Sequence, residues 1–179
     1  MEAVEAGLDG VRAAPADTGR VELIARRPEV DAREVVDEAT LDPDAGLVGD
    51  NWHVKPSLKT GAPNLQAQLT LMNARVTALV AGEDRERWAQ AGDQLYVDFD
   101  LSSANVPPGT RLQLGDTAVI EVSAEPHLGC GKFLKRFGVE AQKLVNSAVG
   151  RELNMRGINT RVIAGGVVRT GDAIVKVDP

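Results

Sequence analysis

The stretch Gly92-Asp93-Gln94-Leu95-Tyr96-Val97-Asp98-Phe99-Asp100-Leu101 sets Leu95, Val97, Phe99 and Leu101 against Gln94, Tyr96, Asp98 and Asp100. Successive side chains of a strand point to opposite faces, so this period of two predicts a half-buried β-strand. Working outward, strand-like runs recur at roughly ten-residue intervals. They are Val21-Glu22-Leu23-Ile24-Ala25, Val35-Val36, Leu65 to Met72, Val119 to Ser123, Thr160 to Ala164 and Ala173 to Val177. Pro28 breaks the first pair. Pro107-Pro108-Gly109, Gly165-Gly166 and Thr170-Gly171-Asp172 supply turns, and Leu41 to His53 holds too many turn formers for a regular element. Two or three helices are expected, two of them with clear signals. Asn73 caps one running through Val76, Leu79 and Val80 to Gly82. Phe133, Leu134, Phe137, Ala141, Leu144 and Val145 carry the other, with a break at Gly138. Many short strands with few helices favour a β-rich α+β fold, a barrel or strongly curved sheet, over a doubly wound one.

Residues 1–19, rich in Ala, Gly, Asp and Glu, read as a flexible N-terminal tail, and 20–179 as one domain. A chain of 179 residues with 43% hydrophobic and 26% charged residues is an ordinary globular composition. No apolar run reaches the length of a membrane span, and the acidic start Met1-Glu2-Ala3-Val4-Glu5 lacks the layout of a secretory signal. The expected compartment is the cytoplasm. A net charge of -6 argues against gripping a phosphate backbone, and 3% aromatic residues argue against stacking single-stranded bases. Nucleic acid is therefore not an expected partner. One cysteine and two histidines exclude an intramolecular disulfide and a four-ligand zinc cage.

Chemistry concentrates in Glu125-Pro126-His127-Leu128-Gly129-Cys130-Gly131-Lys132-Phe133, between a predicted strand and a predicted helix. Glycines on both sides leave the sulfur uncrowded. A helix starting near Lys132 would put the thiol at a positive helix end, with Lys132, Lys135 and Arg136 adding charge that favours thiolate. The thiolate is both nucleophile and soft metal ligand. An inert buried cysteine is the plain alternative.

His127 could share that site or be a surface hydrogen-bonder. Asp50 and His53, in Gly49-Asp50-Asn51-Trp52-His53, could face a ligand or belong to a turn. Asp93 and Gln94 could bond a heterocycle or end a turn. Arg156 and Arg161 could hold a phosphate bidentately or be solvated charges. No P-loop, dinucleotide fingerprint or serine nucleophile elbow is present.

The order Gly46-Leu47-Val48-Gly49-Asp50, Gln68-Leu69-Thr70, Gly92-Asp93-Gln94-Leu95, Pro108-Gly109-Thr110, Leu114-Gly115, Ile120-Glu121-Val122-Ser123, His127 with Cys130, Arg161-Val162 and Gly171-Asp172 resembles the MOSC domain, the C-terminal domain of molybdenum-cofactor sulfurases. The match spans about residues 20–178. The resemblance implies a barrel-like β fold with Cys130 in a cleft and the molybdenum cofactor as ligand. It implies that Cys130 either carries persulfide sulfur or ligates molybdenum, with Asp50, His53, Asp93, Gln94, His127, Lys132, Arg156 and Arg161 as candidate cofactor contacts. A cysteine desulfurase donor or a molybdoenzyme client would be the partner. A non-catalytic binding module, and a molybdenum-dependent reductase of N-hydroxylated compounds fed by an external electron donor, are the alternatives. The chain departs from the common Gly-Glu-Asn-Leu of the family at Gly92-Asp93-Gln94-Leu95, exchanging the lengths of acid and amide. It carries no pyridoxal-phosphate domain and no four-cysteine cluster set.

Overall fold

A computed structural model describes residues 2–54 and 61–178. Among the described residues, eleven strands form two sheets: β1 Thr18–Arg26, β2 Glu34–Val36, β3 Glu38–Asp42, β4 Gly46–Leu47, β5 Leu69–Asn73, β6 Leu95–Asp98, β7 Arg111–Leu114, β8 Ala118–Val122, β9 Ile158–Ala164, β10 Gly166–Arg169 and β11 Ala173–Val177. The larger sheet runs β11-β7-β8-β9-β5-β6-β1-β2, and β1 also pairs with β11. Seven strands thereby close into a barrel, with β2 as an appendage beside β1. Only β5 and β6 among the barrel neighbours are parallel. The expected barrel is present, and closure removes the open edges that a flat sheet would expose.

The strand at the centre of the sequence reading is β6. Leu95 and Val97 point into the barrel, where they join Val21, Ile24, Leu71, Leu112, Ile120 and Ile174. Tyr96, on the opposite face, is also fully buried. The expected alternation is real, but its second face meets helices rather than solvent. These are α1 Glu2–Arg12, α2 Ala74–Ala81, α3 Arg85–Ala89, α4 Gly131–Asn146 and α5 Ala148–Glu152. A second apolar cluster lies between barrel wall and helices, built from Leu23, Ala25, Met72, Val76, Trp88, Tyr96, Phe133 and Val145.

The local punctuation works as its residue types dictate. Asn73 accepts from the Arg75 amide to start α2, and Ser147 accepts from the Gly150 amide to start α5. Gly138 interrupts α4 with φ 87°, a conformation that favours glycine.

Several segments differ from expectation: the loop expected over Leu41 to His53 holds β4, paired with β3, and a 3-10 turn at Trp52–Val54, and the strand expected from Leu65 opens as a 3-10 turn, Leu65–Ala67, before β5. The expected tail, 1–19, carries structure over its described residues: α1 lies against α2, Val11 and Ala14 are buried, and β1 begins at Thr18. The Arg75 guanidinium donates to the Gly10 carbonyl, a contact 65 residues apart in sequence that local reading does not reveal. The expected turn at Gly165-Gly166 leads into β10, which pairs with β3 and, with β4, forms a second sheet. Ala39, Leu41, Leu47 and Val168 of that sheet join the barrel-interior cluster. Val167 and Val168 are too few to give a period, so tertiary pairing decides the strand.

Candidate functional site around Cys130

Cys130 is the N-cap of α4 and is exposed. The Leu134 amide donates to its carbonyl, which fixes the first turn. Its sulfur closes no capping bond in the resting geometry. Burial of part of the side chain would push the thiol up. The Phe133 and Lys132 amides and the Arg156 charge work the other way, and the balance lies below the ordinary thiol value. The cysteine is thus accessible and biased toward thiolate.

The two flanking glycines serve different ends. Gly129 is packed against the far end of α4: Asn146 accepts from its amide and donates to its carbonyl, and an added Cβ would sit 2.9 Å from Val145 Cγ2. Gly131 has nothing within 4 Å of an added Cβ, so the fold does not require it for space.

Behind the cysteine lies a buried charged group. Arg156, in the turn between α5 and β9, donates from Nη1 to Asp93 Oδ2 at 2.6 Å and from Nη2 to the Ala91 carbonyl at 2.9 Å. Its guanidinium also lies 5.0 Å from the centre of the Phe133 ring, in the first turn of α4. The other carboxylate oxygen, Asp93 Oδ1, is 3.4 Å from His127 Nδ1. Neither atom makes a hydrogen bond among the described residues. Gly157 makes room for the arrangement: with φ 105°, its added Cβ would lie 2.2 Å from the Leu71 carbonyl oxygen and 3.4 Å from Asp93 Oδ1.

Burial holds His127 down to about 4, and the charges of Arg156 and Arg27 add to that against the opposing pull of Asp93. Burial likewise pushes the Tyr96 hydroxyl up and the Arg33 guanidinium down. Among the described residues, Arg33 Nε, Asn51 Oδ1, Asp93 Oδ1, Tyr96 Oη, His127 Nδ1 and Arg156 Nε are the buried side-chain polar atoms without partners. The Tyr96, His127 and Arg156 atoms belong to residues that interact electrostatically with Asp93, and Arg33 interacts with Tyr96. A cluster of orphaned polar atoms is rare in a finished core, and ordered water, an ion or a ligand would complete its bonding.

A second network braces the same end of the barrel. Arg27 grips Asp50 through Nε and Nη2, both at 2.8 Å, and donates from Nη1 to the Gly92 carbonyl. Asp50 Oδ1 also accepts from the Trp52 amide. Gln94 Oε1 accepts from the amide and hydroxyl of Thr70. Gln94 Nε2 donates to Asp50 Oδ1 at 3.4 Å, which joins two residues that the sequence placed in separate pairs, Asp50 with His53 and Gln94 with Asp93, and every side-chain oxygen of Asp50 and Gln94 accepts a bond from the protein. A cleft of ≈ 420 Å³ opens beside them, lined in part by Arg27, Trp52, Thr70, Glu125, His127 and Asn159.

Cationic charge surrounds the cysteine loop. Lys132 Nζ and Arg136 Nη2 share the exposed carboxylate of Asp31, at 3.3 and 3.2 Å. Arg33 Nη2 and Arg136 Nη1 lie 3.6 and 3.8 Å from where a Cβ of Gly92 would stand. Arg27 and Arg156 are each matched by a buried aspartate, whereas Arg33, Lys132 and Arg136 have Asp31 as their shared acidic neighbour. Arg161, by contrast, pairs with Glu121 on an exposed strand position of β9. His53 is exposed on the 3-10 turn Trp52–Val54, next to residues outside the described set.

Arg27 and Arg33 were not singled out by sequence reasoning. The available signal was Arg26-Arg27-Pro28 at the end of a predicted strand, where a cation pair stops an apolar run.

Among the described residues no helix is long and apolar enough to cross a membrane, and no group of three or more His, Cys, Asp or Glu is arranged to hold a metal ion.

The family model described as MOSC domain matches residues 64–175. No curated protein matches the chain by sequence. A crystal structure described as a hypothetical protein superposes with TM-score 0.61 at 25% identity, covering 90% of this chain and 68% of that one. YuaD from Bacillus subtilis superposes with TM-score 0.60 at 19% identity, over 90% of this chain and 97% of its own. YiiM from Escherichia coli gives 0.57 at 23% identity, over 89% and 70%. The last two share the barrel fold.

Proposed function

The chain belongs to the MOSC domain family, one associated with the molybdenum cofactor, and on that premise we propose that it binds this cofactor with the Cys130 thiolate as a molybdenum ligand. The observation that carries the reading is the exposed, thiolate-biased cysteine set between orphaned buried polar atoms and a basic cluster. The residues present fit the group. A soft thiolate suits molybdenum, and Arg33, Arg136 and Lys132 outnumber the single carboxylate they share, Asp31, so that net positive charge remains for the anionic phosphate of the pterin. When bound, the cofactor would supply a two-electron metal centre. The protein's part is to present the thiolate, hold the phosphate, and line the cleft between Trp52 and His127.

In this reading Asp93 and Arg156 act as the brace under the site. Asp50 and Gln94 shape the cleft wall through Arg27 and Thr70. Arg161 contributes to the barrel surface through Glu121. Reduction of N-hydroxylated compounds would be the accompanying chemistry, with electrons from a separate reductase.

Exposure of Cys130 favours one second reading, in which the thiolate accepts sulfur from a cysteine desulfurase and passes it on to a molybdoenzyme client. Incubation with cofactor, followed by molybdenum analysis of the desalted protein, tests the first reading. Wild type is expected to retain molybdenum and Cys130→Ser to lose most of it. Equal retention by both would remove the cysteine from cofactor binding. Intact mass after incubation with desulfurase and cysteine tests the second. A gain of about one sulfur on wild type alone, reversed by a thiol reductant, would favour the carrier.

A further inference from the structure

The pairing of His127 with Asp93 goes beyond ligation by the cysteine, although the role of its open nitrogen rests on the cofactor reading. His127 Nδ1 and Asp93 Oδ1 are buried and 3.4 Å apart, and neither makes a hydrogen bond among the described residues. Asp93 cannot turn away, because its second oxygen is held by Arg156 at 2.6 Å. Arg156 is in turn fixed by the Ala91 carbonyl and by Phe133. A carboxylate so placed is an acceptor only, so the imidazole nitrogen facing it is best satisfied carrying a proton. The ring also lines the cleft shared with Arg27, Thr70, Glu125 and Asn159.

We propose that Asp93, anchored by Arg156, locks His127 as the Nδ1–H tautomer, so that Nε2 is the proton-accepting group of the cleft for an occupant presenting an N–H or O–H. The same holds for metal-site histidines, where the bond made by one nitrogen decides what the other can do. The proton shared at Nε2 comes from the occupant's N–H or O–H and returns to it. No electrons move in this step. The charged groups facing His127 are Asp93, which favours the imidazolium, and Arg156 and Arg27, which oppose it. Glu125 stands two residues away at the cleft rim. The ring therefore rests neutral and serves as acceptor.

The test is nitrogen NMR of the imidazole rings in the uniformly labelled full chain. Only two histidines are present, and His127→Gln identifies the signals that belong to position 127. The unloaded wild type is expected to show a protonated Nδ1 and a bare Nε2 at neutral pH, and Asp93→Asn to lose that preference. An Nε2–H tautomer in wild type, or an unchanged tautomer in Asp93→Asn, would overturn the lock. In protein shown by its molybdenum content to be loaded, the Nε2 resonance is expected to move while Nδ1–H persists. His127→Gln should weaken cofactor affinity by about three- to tenfold, the loss of one hydrogen bond. An unmoved Nε2 in loaded protein would overturn the role assigned to it. Failure to load at all would overturn the cofactor reading, while the unloaded spectrum still decides the lock.

Discussion

The barrel interior and the barrel end beneath Cys130 are both buried, but they are built on opposite terms. Inside, Leu112, Leu114, Ile120, Phe99 and Ile174 are fully enclosed and apolar, and any of them can be satisfied by packing alone. At the end, Asp50, Asp93, Gln94 and Arg156 are buried just as deeply, and satisfaction there depends on exact partners. The interior stabilises the fold through area removed from water. The end spends part of that stability holding charges in place, and its orphaned atoms show that the protein does not complete the bonding by itself. The difference teaches where to look for function: at buried groups whose presence packing does not explain.

Substitutions can break this contrast. Leu112→Ala should destabilise by about 3–5 kcal/mol in chemical denaturation, as a cavity in a closed core. Asp93→Ala should cost a similar amount, about 3–5 kcal/mol, because it leaves the Arg156 charge buried and unpaired. The two regions part company in double variants. Replacing Asp93 and Arg156 together by Leu and Met should restore much of the loss, whereas truncating a second interior residue should add to it. If the double replacement is as damaging as the sum of the single ones, the pair is integral to folding and the contrast fails.

The pH dependence of stability sharpens it further. His127 is held down to about 4 in the folded chain and has its ordinary value near 6.5 when unfolded. The unfolded state therefore binds the extra proton between these values. The stability is fully present above about pH 6.5 and is lost as pH falls toward 4, by up to about 3 kcal/mol. Urea midpoints of wild type and His127→Gln should converge with falling pH relative to their separation at neutral pH. Parallel curves would remove His127 as the cause.

Smaller effects belong at the rim. Arg161→Ala should change stability by less than about 1 kcal/mol, as an exposed ion pair, and should leave cofactor binding intact. Gly131→Ala should alter stability least, within about 0.5 kcal/mol, because no atom lies near its new methyl group. Slower alkylation of Cys130 in that variant would show that Gly131 keeps the thiol open. An unchanged alkylation rate would remove that explanation for the glycine.

Much of this was legible in the sequence where information is local. The period of β6, the Asn73 cap and the Gly138 break each rest on neighbours within a few residues. The placement of Cys130 at a helix start follows from the glycine-flanked loop before an apolar helical pattern. What was not legible joins distant positions. Arg27 meets Asp50 across 23 residues, and Asp93 meets Arg156 across 63. The face of β6 that carries Tyr96 reads as solvent-facing until helices from both flanks cover it. Helix α1 is invisible for the same reason, since its burial depends on α2 and its polar anchor on Arg75.

X-ray absorption at the molybdenum edge, on cofactor-loaded wild type and on the free cofactor, tests whether Cys130 binds molybdenum through sulfur. One sulfur scatterer more is expected around the metal in the protein than in the free cofactor. An identical sulfur shell in the two samples would contradict that ligation and leave Cys130 without a place in the metal's coordination.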